Sequence, residues 1–162
     1  MNAPTTRPIR VLMVCLGNIC RSPTAEAVLR KKAHEAGLDD RIEVDSAGTA
    51  DYHVDSPPDR RAVAHGEKRG LAMKHLRGRQ VGRADFERFD FILAMDEDNL
   101  SELEGLRPRG SHAKLALLMS FAPNAGSSVV PDPYYGGEDS FEQVLDLTAA
   151  AAEGFIDSMF AR

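Results

Sequence analysis

A short segment near the N-terminus contains several residue types that could do chemistry together. Cys15 is followed six places later by Arg21 and then by Ser22, with Gly17 and Asn18 between them. A cysteine thiolate is a nucleophile, and a guanidinium can hold two oxygens of a phosphate. Glycine and asparagine tolerate the left-handed angles that let successive amide N–H groups curl around an anion. The segment therefore predicts an oxyanion site with a reactive sulfur.

The residues on either side of this segment predict the elements that would position it. Residues 9–14 form a short, mostly apolar run with β-branched residues, which is typical of a strand buried on both faces. A helix is expected next, with Ser22 as its cap, Pro23 in its first position and Gly37 at its end. The positive field of the helix N-terminus favours a thiolate at Cys15, to which Ser22 could donate a hydrogen bond. The plainer interpretation is a buried structural cysteine followed by a solvated arginine.

The rest of the chain alternates predicted strands and helices. Such alternation indicates right-handed crossovers and a parallel sheet. We predict a single α/β domain over residues 9–162, with a four-stranded parallel sheet, helices on both faces and the flavodoxin-like strand order 2-1-3-4, preceded by a disordered tail over residues 1–8. The predicted strands span residues 9–14, 41–45, 89–95 and 114–118, and the later helices span residues 58–70, 83–88, 96–106 and 140–160. Ligands bind such sheets beyond the carboxyl ends of the strands, where the Cys15 segment lies.

Composition excludes several classes of protein. The 162 residues are 43% hydrophobic and 28% charged, which is typical of a globular domain. The net charge of −5 argues against broad nucleic-acid binding, and no apolar run approaches the roughly 20 residues of a membrane span. The first ten residues lack the apolar core of a secretory signal, so we expect a cytoplasmic protein. Two cysteines are too few for a disulfide scaffold or a thiolate zinc site, and no metal site is predicted.

Four blocks of the sequence resemble one known family. Cys15-Leu-Gly-Asn-Ile-Cys-Arg-Ser-Pro23 is similar to the signature loop of the low-molecular-weight protein tyrosine phosphatases. The resemblance continues through Asp45-Ser-Ala-Gly48, Asp90-Phe-Ile-Leu-Ala-Met-Asp96 and Asp132-Pro-Tyr-Tyr-Gly136, in that order, and covers nearly the whole chain from Ile9. It implies that residues 9–162 form a phosphatase domain.

The resemblance implies a reaction and roles for individual residues. Cys15 would be the nucleophile that forms a cysteinyl-phosphate, and Asp132 would protonate the leaving tyrosyl oxygen and later activate water. Arg21 and the loop would stabilise charge on the phosphoryl oxygens, without a cofactor. The loop residues implied to bind phosphate are Leu16, Gly17, Asn18, Ile19, Cys20 and Ser22. By itself, Asp132 before a proline is also an ordinary turn initiator.

Further residues would support the loop or line the pocket. Asn18 would hold the shape of the loop, Ser46 would support Asn18, and His75 and Asp96 would brace the loop from behind. The residues expected to line the substrate pocket are Tyr52, His53, Tyr134 and Tyr135. His53 stands where relatives more usually carry an amide, so it should affect substrate preference.

The roles of Cys20 and of three histidines are not fixed by the resemblance. Cys20 could be a small buried apolar residue, or a resolving thiol that traps oxidised Cys15, as the family attests. His34, His65 and His112 are expected on the surface.

The implied partners are a phosphotyrosine-containing protein as substrate and inorganic phosphate or another oxyanion as product or inhibitor, with no nucleic acid and no membrane. Three alternatives use the same fold. An arsenate reductase-like thiol oxidoreductase needs further cysteines, and none follows Cys20. A phosphoarginine phosphatase carries threonine where this chain has Ile19 and lacks the tyrosine pair. A flavodoxin-type binding module would leave Cys15 and Asp132 without a purpose.

Overall fold

The computed structural model describes residues 7–160. Its strands are β1 (Ile9–Cys15), β2 (Ile42–Gly48), β3 (Phe91–Ala94) and β4 (Lys114–Leu117), and its α-helices are α1 (Arg21–Glu35), α2 (Arg60–Lys68), α3 (Asp85–Arg88), α4 (Glu97–Leu106) and α5 (Glu138–Met159). A 3₁₀ turn, Leu118–Phe121, follows β4 and was not predicted. Of the predicted tail, residues 1–6 lie outside the described part, while exposed Arg7 donates to Asp90 Oδ1 at 3.0 Å.

The four strands form one parallel sheet in the order β2-β1-β3-β4, as predicted. β1 pairs with both β2 and β3, and Cys15 at its end lies beside Gly48 of β2. All four carboxyl ends therefore meet at one edge of the sheet, which is where ligands bind in this class of fold.

Alternate residues of β1 face two separate apolar cores. Val11 and Met13 pack with residues of α1 and α5, whereas Leu12 packs on the other side with Phe86 of α3 and Leu103 of α4. Because successive side chains of a strand point to opposite faces, this division places helices on both faces of the sheet. The predicted architecture is confirmed.

Helix α5 returns along the sheet from the edge where β1 ends to the opposite edge. It begins at Glu138 and ends at Met159. The next residue, Phe160, lies beneath the guanidinium of Arg41, whose Cζ is 5.3 Å from the centre of the Phe160 ring. Arg41 immediately precedes β2. No helix within residues 7–160 has both the length and the apolar character that a membrane span requires.

Two local predictions were wrong. Ser22 is not the cap of α1: the helix begins at Arg21, Cys20 occupies the N-cap position, and no side chain caps it. His65, expected on the surface, is buried; its ring stacks on Phe141 and its Nδ1 hydrogen-bonds with Glu142 Oε2 of α5. The partners of His65 are 76 and 77 residues away, so no local pattern indicated them.

Candidate active site

Residues 15–22 run from the end of β1 into the first turn of α1 and form a cup around the sulfur of Cys15. We call this segment the Cys15 loop. The side chain of Cys15 is buried, and its Sγ accepts a hydrogen bond from the backbone N–H of Asn18 at 3.2 Å. The hydroxyl of Ser22 lies 3.0 Å from the same sulfur. Both groups can donate hydrogen bonds to the sulfur when it attacks as a thiolate.

Asn18 gives the Cys15 loop its shape. Its backbone is left-handed, with φ of 58°, while Gly17, expected to share that conformation, does not adopt a positive φ. The Asn18 side chain donates from Nδ2 to Ser22 Oγ at 2.8 Å and accepts at Oδ1 from the backbone N–H of Arg79 at 3.0 Å. The amide group thus joins Asn18 to the end of the loop at Ser22 and to the neighbouring segment at Arg79.

Gly48 lets β2 approach the loop closely. A Cβ at this position would lie 2.7 Å from the carbonyl oxygen of Leu16. The chain just after Gly48 then hydrogen-bonds to the loop, since Thr49 N donates to Cys15 O at 2.9 Å and Ala50 N donates to Leu16 O at 3.0 Å. Any larger residue at position 48 would push the two segments apart.

Arg21 is buried at the first position of α1 and is fixed by groups beyond β3. Its Nη1 donates to Asp96 Oδ2 at 2.6 Å and to the carbonyl oxygen of Val130 at 3.0 Å. Its Nη2 lies 3.7 Å from Asp132 Oδ2. Asp96 also caps α4 through its other oxygen, which accepts from Asn99 N at 2.8 Å. Asp96 therefore contacts both Arg21 and the first turn of α4.

Asp132 stands at the open side of the site. Its side chain is 46% exposed, and Oδ1 accepts a hydrogen bond from the backbone N–H of Tyr134 at 3.0 Å. This is an Asx turn. Asp132 can therefore initiate the turn through Oδ1 and still present Oδ2 as an acid. The carboxylate faces Arg21 and is open to a proton donor or acceptor in the cavity.

A cavity of about 290 Å³ connects these groups. Cys15 and Arg21 lie on its lining together with Asp132, and the whole predicted pocket set, Tyr52, His53, Tyr134 and Tyr135, lines it as well. The loop residues that reach it are Leu16, Gly17, Ile19 and Cys20, whereas Asn18 and Ser22 are not on its lining. The cavity thus joins groups that can bind an anion, at Cys15 and Arg21, with the rings of three tyrosines and one histidine, and this combination suits a flat aromatic ester.

Two predicted supporting residues make other contacts than expected. Ser46 does not support Asn18: its hydroxyl donates to Glu26 Oε1 at 2.7 Å, and Glu26 in turn pairs with Arg30. His75 is exposed, and no hydrogen bond or ion pair joins it to another residue of the described range 7–160.

Arg79 provides the support that was assigned to those two residues. Its backbone N–H holds Asn18, and its guanidinium lies between the carboxylates of Asp45 and Asp85. Sequence reasoning missed Arg79, because it belongs to an irregular stretch 61 residues beyond Asn18 with no periodic pattern.

Cys20 differs from Cys15 in its surroundings, although both are free and buried. Burial raises the pKa of the Cys20 thiol above its ordinary value, and the nearby charges of Asp59 and Cys15 add to the rise. Cys20 is therefore a protonated thiol at neutral pH. Within residues 7–160 no cluster of three or more histidine, cysteine or acidic side chains is arranged to hold a metal ion.

Comparison with known proteins agrees with this geometry. The profile of the family described as "Low molecular weight phosphotyrosine protein phosphatase" matches residues 10–161. The protein of that description from Schizosaccharomyces pombe is 43% identical over 155 residues, which are 95% of this chain and 99% of the relative. A crystal structure of a protein tyrosine phosphatase from Entamoeba histolytica, with Hepes in its active site, superposes with a TM-score of 0.89 at 40% identity, covering 93% of this chain and 96% of the other.

A third similar protein is described by a different activity. The structure of a Drosophila arginine phosphatase superposes with a TM-score of 0.88 at 34% identity, covering 94% of this chain and 99% of the other. The family match spans nearly the whole chain, includes the Cys15 loop, and confirms the resemblance seen in the sequence. The chain belongs to the low molecular weight phosphotyrosine protein phosphatase family.

Proposed function

We propose that this protein hydrolyses phosphotyrosine monoesters in proteins through a cysteinyl-phosphate intermediate. One observation carries the proposal: the Cys15 sulfur sits in a cup of donors, with Arg21 and Asp132 on the lining of the same cavity. These are the three groups that a nucleophilic displacement at phosphorus needs, namely an attacking anion, a charge stabiliser and a proton donor.

In the first half-reaction, the Cys15 thiolate attacks phosphorus and the bond to the tyrosyl oxygen breaks. The protonated carboxyl of Asp132 gives its proton to that oxygen, so that tyrosine leaves as the neutral phenol. In the second half-reaction, water attacks the cysteinyl-phosphate while the Asp132 carboxylate takes a proton from it. The sulfur–phosphorus bond breaks, inorganic phosphate is released and the Cys15 thiolate is regenerated.

Arg21 stabilises the phosphoryl group during both steps. Its planar guanidinium presents several N–H donors in a fixed geometry that matches two phosphate oxygens. Asp96 and the Val130 carbonyl hold the guanidinium in place before substrate arrives, which lowers the cost of ordering it. The Ser22 hydroxyl lies 3.0 Å from the sulfur, so it can donate to the thiolate that leaves in the second step.

The likeness to the Drosophila arginine phosphatase makes phosphoarginine the second substrate to consider. Two features of this cavity favour tyrosine instead. Ile19 lines it with an aliphatic side chain that has no hydroxyl for a guanidinium, and Tyr134 and Tyr135 form an edge-to-face pair with centroids 4.9 Å apart at its mouth. Such rings pack well against a phenyl group. Arsenate reductase chemistry is not favoured, since the chain has no cysteine after Cys20.

Turnover of matched substrates by the purified protein tests the proposal. Phosphopeptides carrying phosphotyrosine, phosphoserine or phosphoarginine are compared by kcat/KM, and arsenate is offered with a thiol reductant. We expect phosphotyrosine to be preferred and inorganic phosphate to inhibit competitively. A preference for phosphoarginine, or thiol-dependent arsenate reduction, would overturn the assignment.

We expect the cytoplasm to be the compartment, because the nucleophile must stay reduced.

A further inference from the structure

We propose that Arg61, in the first turn of α2, is a positioning residue that holds the Asp132 loop over the Cys15 loop. The Asp132 loop is defined here as residues 131–135. The inference rests on the proposed function, because it concerns the proton transfer assigned to Asp132. Arg61 is not among the residues that line the cavity, so its effect would pass through Asp132 and not through substrate.

Arg61 makes three contacts on the far side of the site. Its Nη2 donates to the carbonyl oxygen of Tyr134 at 2.9 Å, and the guanidinium lies 5.5 Å from the ring centre of Tyr134. It also lies over Phe141 of α5, 4.7 Å from that ring centre. Tyr134 is the residue whose backbone N–H donates to Asp132 Oδ1. Arg61 therefore fixes the residue that orients the Asp132 carboxylate.

The other side of Arg61 is anchored to Asp59. Asp59 Oδ1 accepts from Arg61 Nε at 3.1 Å and from its backbone N–H at 2.8 Å, and Oδ2 accepts from Nη2 at 3.0 Å. The backbone N–H of Asp59 donates to the carbonyl oxygen of Ile19 at 2.8 Å. Hydrogen bonds thus run without a break from the Cys15 loop, through Asp59 and Arg61, to the Asp132 loop.

The anchor remains charged in mild acid. Partial burial would raise the pKa of Asp59, but the hydrogen bonds and charge of Arg61 outweigh burial and lower it. The pKa of Arg61 is raised in turn by its hydrogen bond with Asp59. Both shifts favour the ionised forms of Asp59 and Arg61.

Other backbone hydrogen bonds hold the two ends of the Asp132 loop. Val130 N donates to Met95 O at 2.7 Å just before the loop, and Gly136 N donates to Pro133 O at 2.9 Å just after it. Arg21 also reaches this segment, since its Nη1 donates to Val130 O and its Nη2 lies 3.7 Å from Asp132 Oδ2. Without Arg61, the carboxylate would keep its Asx turn and its contact with Arg21 but lose the link from α2 to Tyr134. Small displacements of a reacting group are costly, and a poor leaving group depends most on the lost proton.

The experiment compares aryl phosphates whose leaving groups differ in basicity. The series runs from phenyl phosphate to 2,4-dinitrophenyl phosphate, and kcat/KM reports the step in which the aryl oxygen leaves. For Arg61→Gln we expect a loss of about 10- to 100-fold on phenyl phosphate. We expect less than about a threefold loss on the dinitrophenyl ester, which leaves without a proton. Arg61→Lys, which keeps the positive charge but not the planar fork of donors, should lie between.

A double-mutant cycle separates positioning from a general structural effect. In an Asp132→Asn background, Arg61→Gln should cost little more, because its effect passes through the carboxyl that is already gone. Arg69→Gln is the matched control: Arg69 also ties α2 to α5, through Glu142 and Asp146, but does not touch the Asp132 loop. It should leave the ratio between the two esters unchanged.

The outcomes are distinguishable. A uniform loss on all esters, or full additivity with Asp132→Asn, overturns the role of Arg61 and leaves the proposed function standing. If Arg61→Gln does not fold, the same ratios measured on Arg61→Lys decide between these results. A parent protein that hydrolyses none of the series overturns the proposed function and this inference with it.

Discussion

At the scale of residues, Ser22 carries a role that its place at the start of a helix does not suggest. Its hydroxyl oxygen accepts a hydrogen bond from the Asn18 side chain and lies within hydrogen-bond distance of the Cys15 sulfur. The carbonyl oxygen of Ala47 is a further acceptor for the hydroxyl. The contact with sulfur was predictable, because both residues belong to one short loop. The capping role was wrong, because α1 begins at Arg21 and not at Pro23 as predicted, so Ser22 is already its second residue.

Replacing the nucleophile separates binding from chemistry. We expect Cys15→Ser to lower kcat for p-nitrophenyl phosphate by at least about 10³-fold, since a neutral hydroxyl in this cup is a poor nucleophile. The amides and Arg21 remain, so inorganic phosphate should still bind, which isothermal calorimetry measures. Turnover at the parental rate would contradict the assignment of Cys15.

The two cysteines should differ in their reaction with alkylating reagents. At pH 7 we expect iodoacetamide to modify Cys15 first, because its sulfur is held by donors, whereas burial keeps the Cys20 thiol protonated. Mass spectrometry of the peptides gives both rates, and saturating phosphate should slow the reaction of Cys15. Faster labelling of Cys20 would refute this order.

At the scale of elements, prediction succeeded where the pattern was local and failed where contacts were distant. The strands are short apolar runs, and the glycine after α1 marks its end, so both were visible in the sequence. Arg79 supports Asn18 from 61 residues away, and Ser46 pairs with Glu26 on a neighbouring helix. Such contacts depend on how elements pack, and neither propensity nor periodicity contains that information.

The close approach of β2 to the Cys15 loop can be tested with one methyl group. We expect Gly48→Ala to cost about 1–3 kcal/mol of unfolding free energy, because its Cβ would overlap the Leu16 carbonyl oxygen. Since that carbonyl belongs to the loop, kcat should fall as well.

Gly105→Ala in α4 is the matched control for this substitution. Its Cβ would meet no atom within 4 Å, and it should stabilise the helix by about 0.5–1 kcal/mol. Urea denaturation and kcat are measured on both variants. If Gly48→Ala behaves like the control, the close approach is not a constraint.

At the scale of the whole molecule, Glu142 joins α5 to α2 through Arg69 and buried His65. The hydrogen bond from Arg69, followed by that from His65, lowers the pKa of Glu142. A carboxyl whose pKa is lowered by folding stabilises the folded state above its ordinary pKa of about 4.3. That contribution disappears as the pH falls through the lowered value.

The expected result is a difference in melting temperature that depends on pH. Glu142→Gln should lower Tm by about 1–3 °C at pH 7, because the site is partly exposed and screened by solvent. The difference should shrink below about pH 4. Glu153→Gln, on the same helix with Lys32 as its partner, is the control and should have the smaller effect. A Glu142 effect that grows in acid would have the wrong sign.

The direction of α5 has a practical consequence for handling the protein. Phe160 beneath Arg41 and Arg7 beside Asp90 both lie at the sheet edge where strands begin, and the cavity lies where they end. A surface tether or a fused reporter attached at either end of the described chain would thus project away from the mouth. An immobilised form should keep its full kcat/KM toward a bulky phosphoprotein, whichever end is used for attachment.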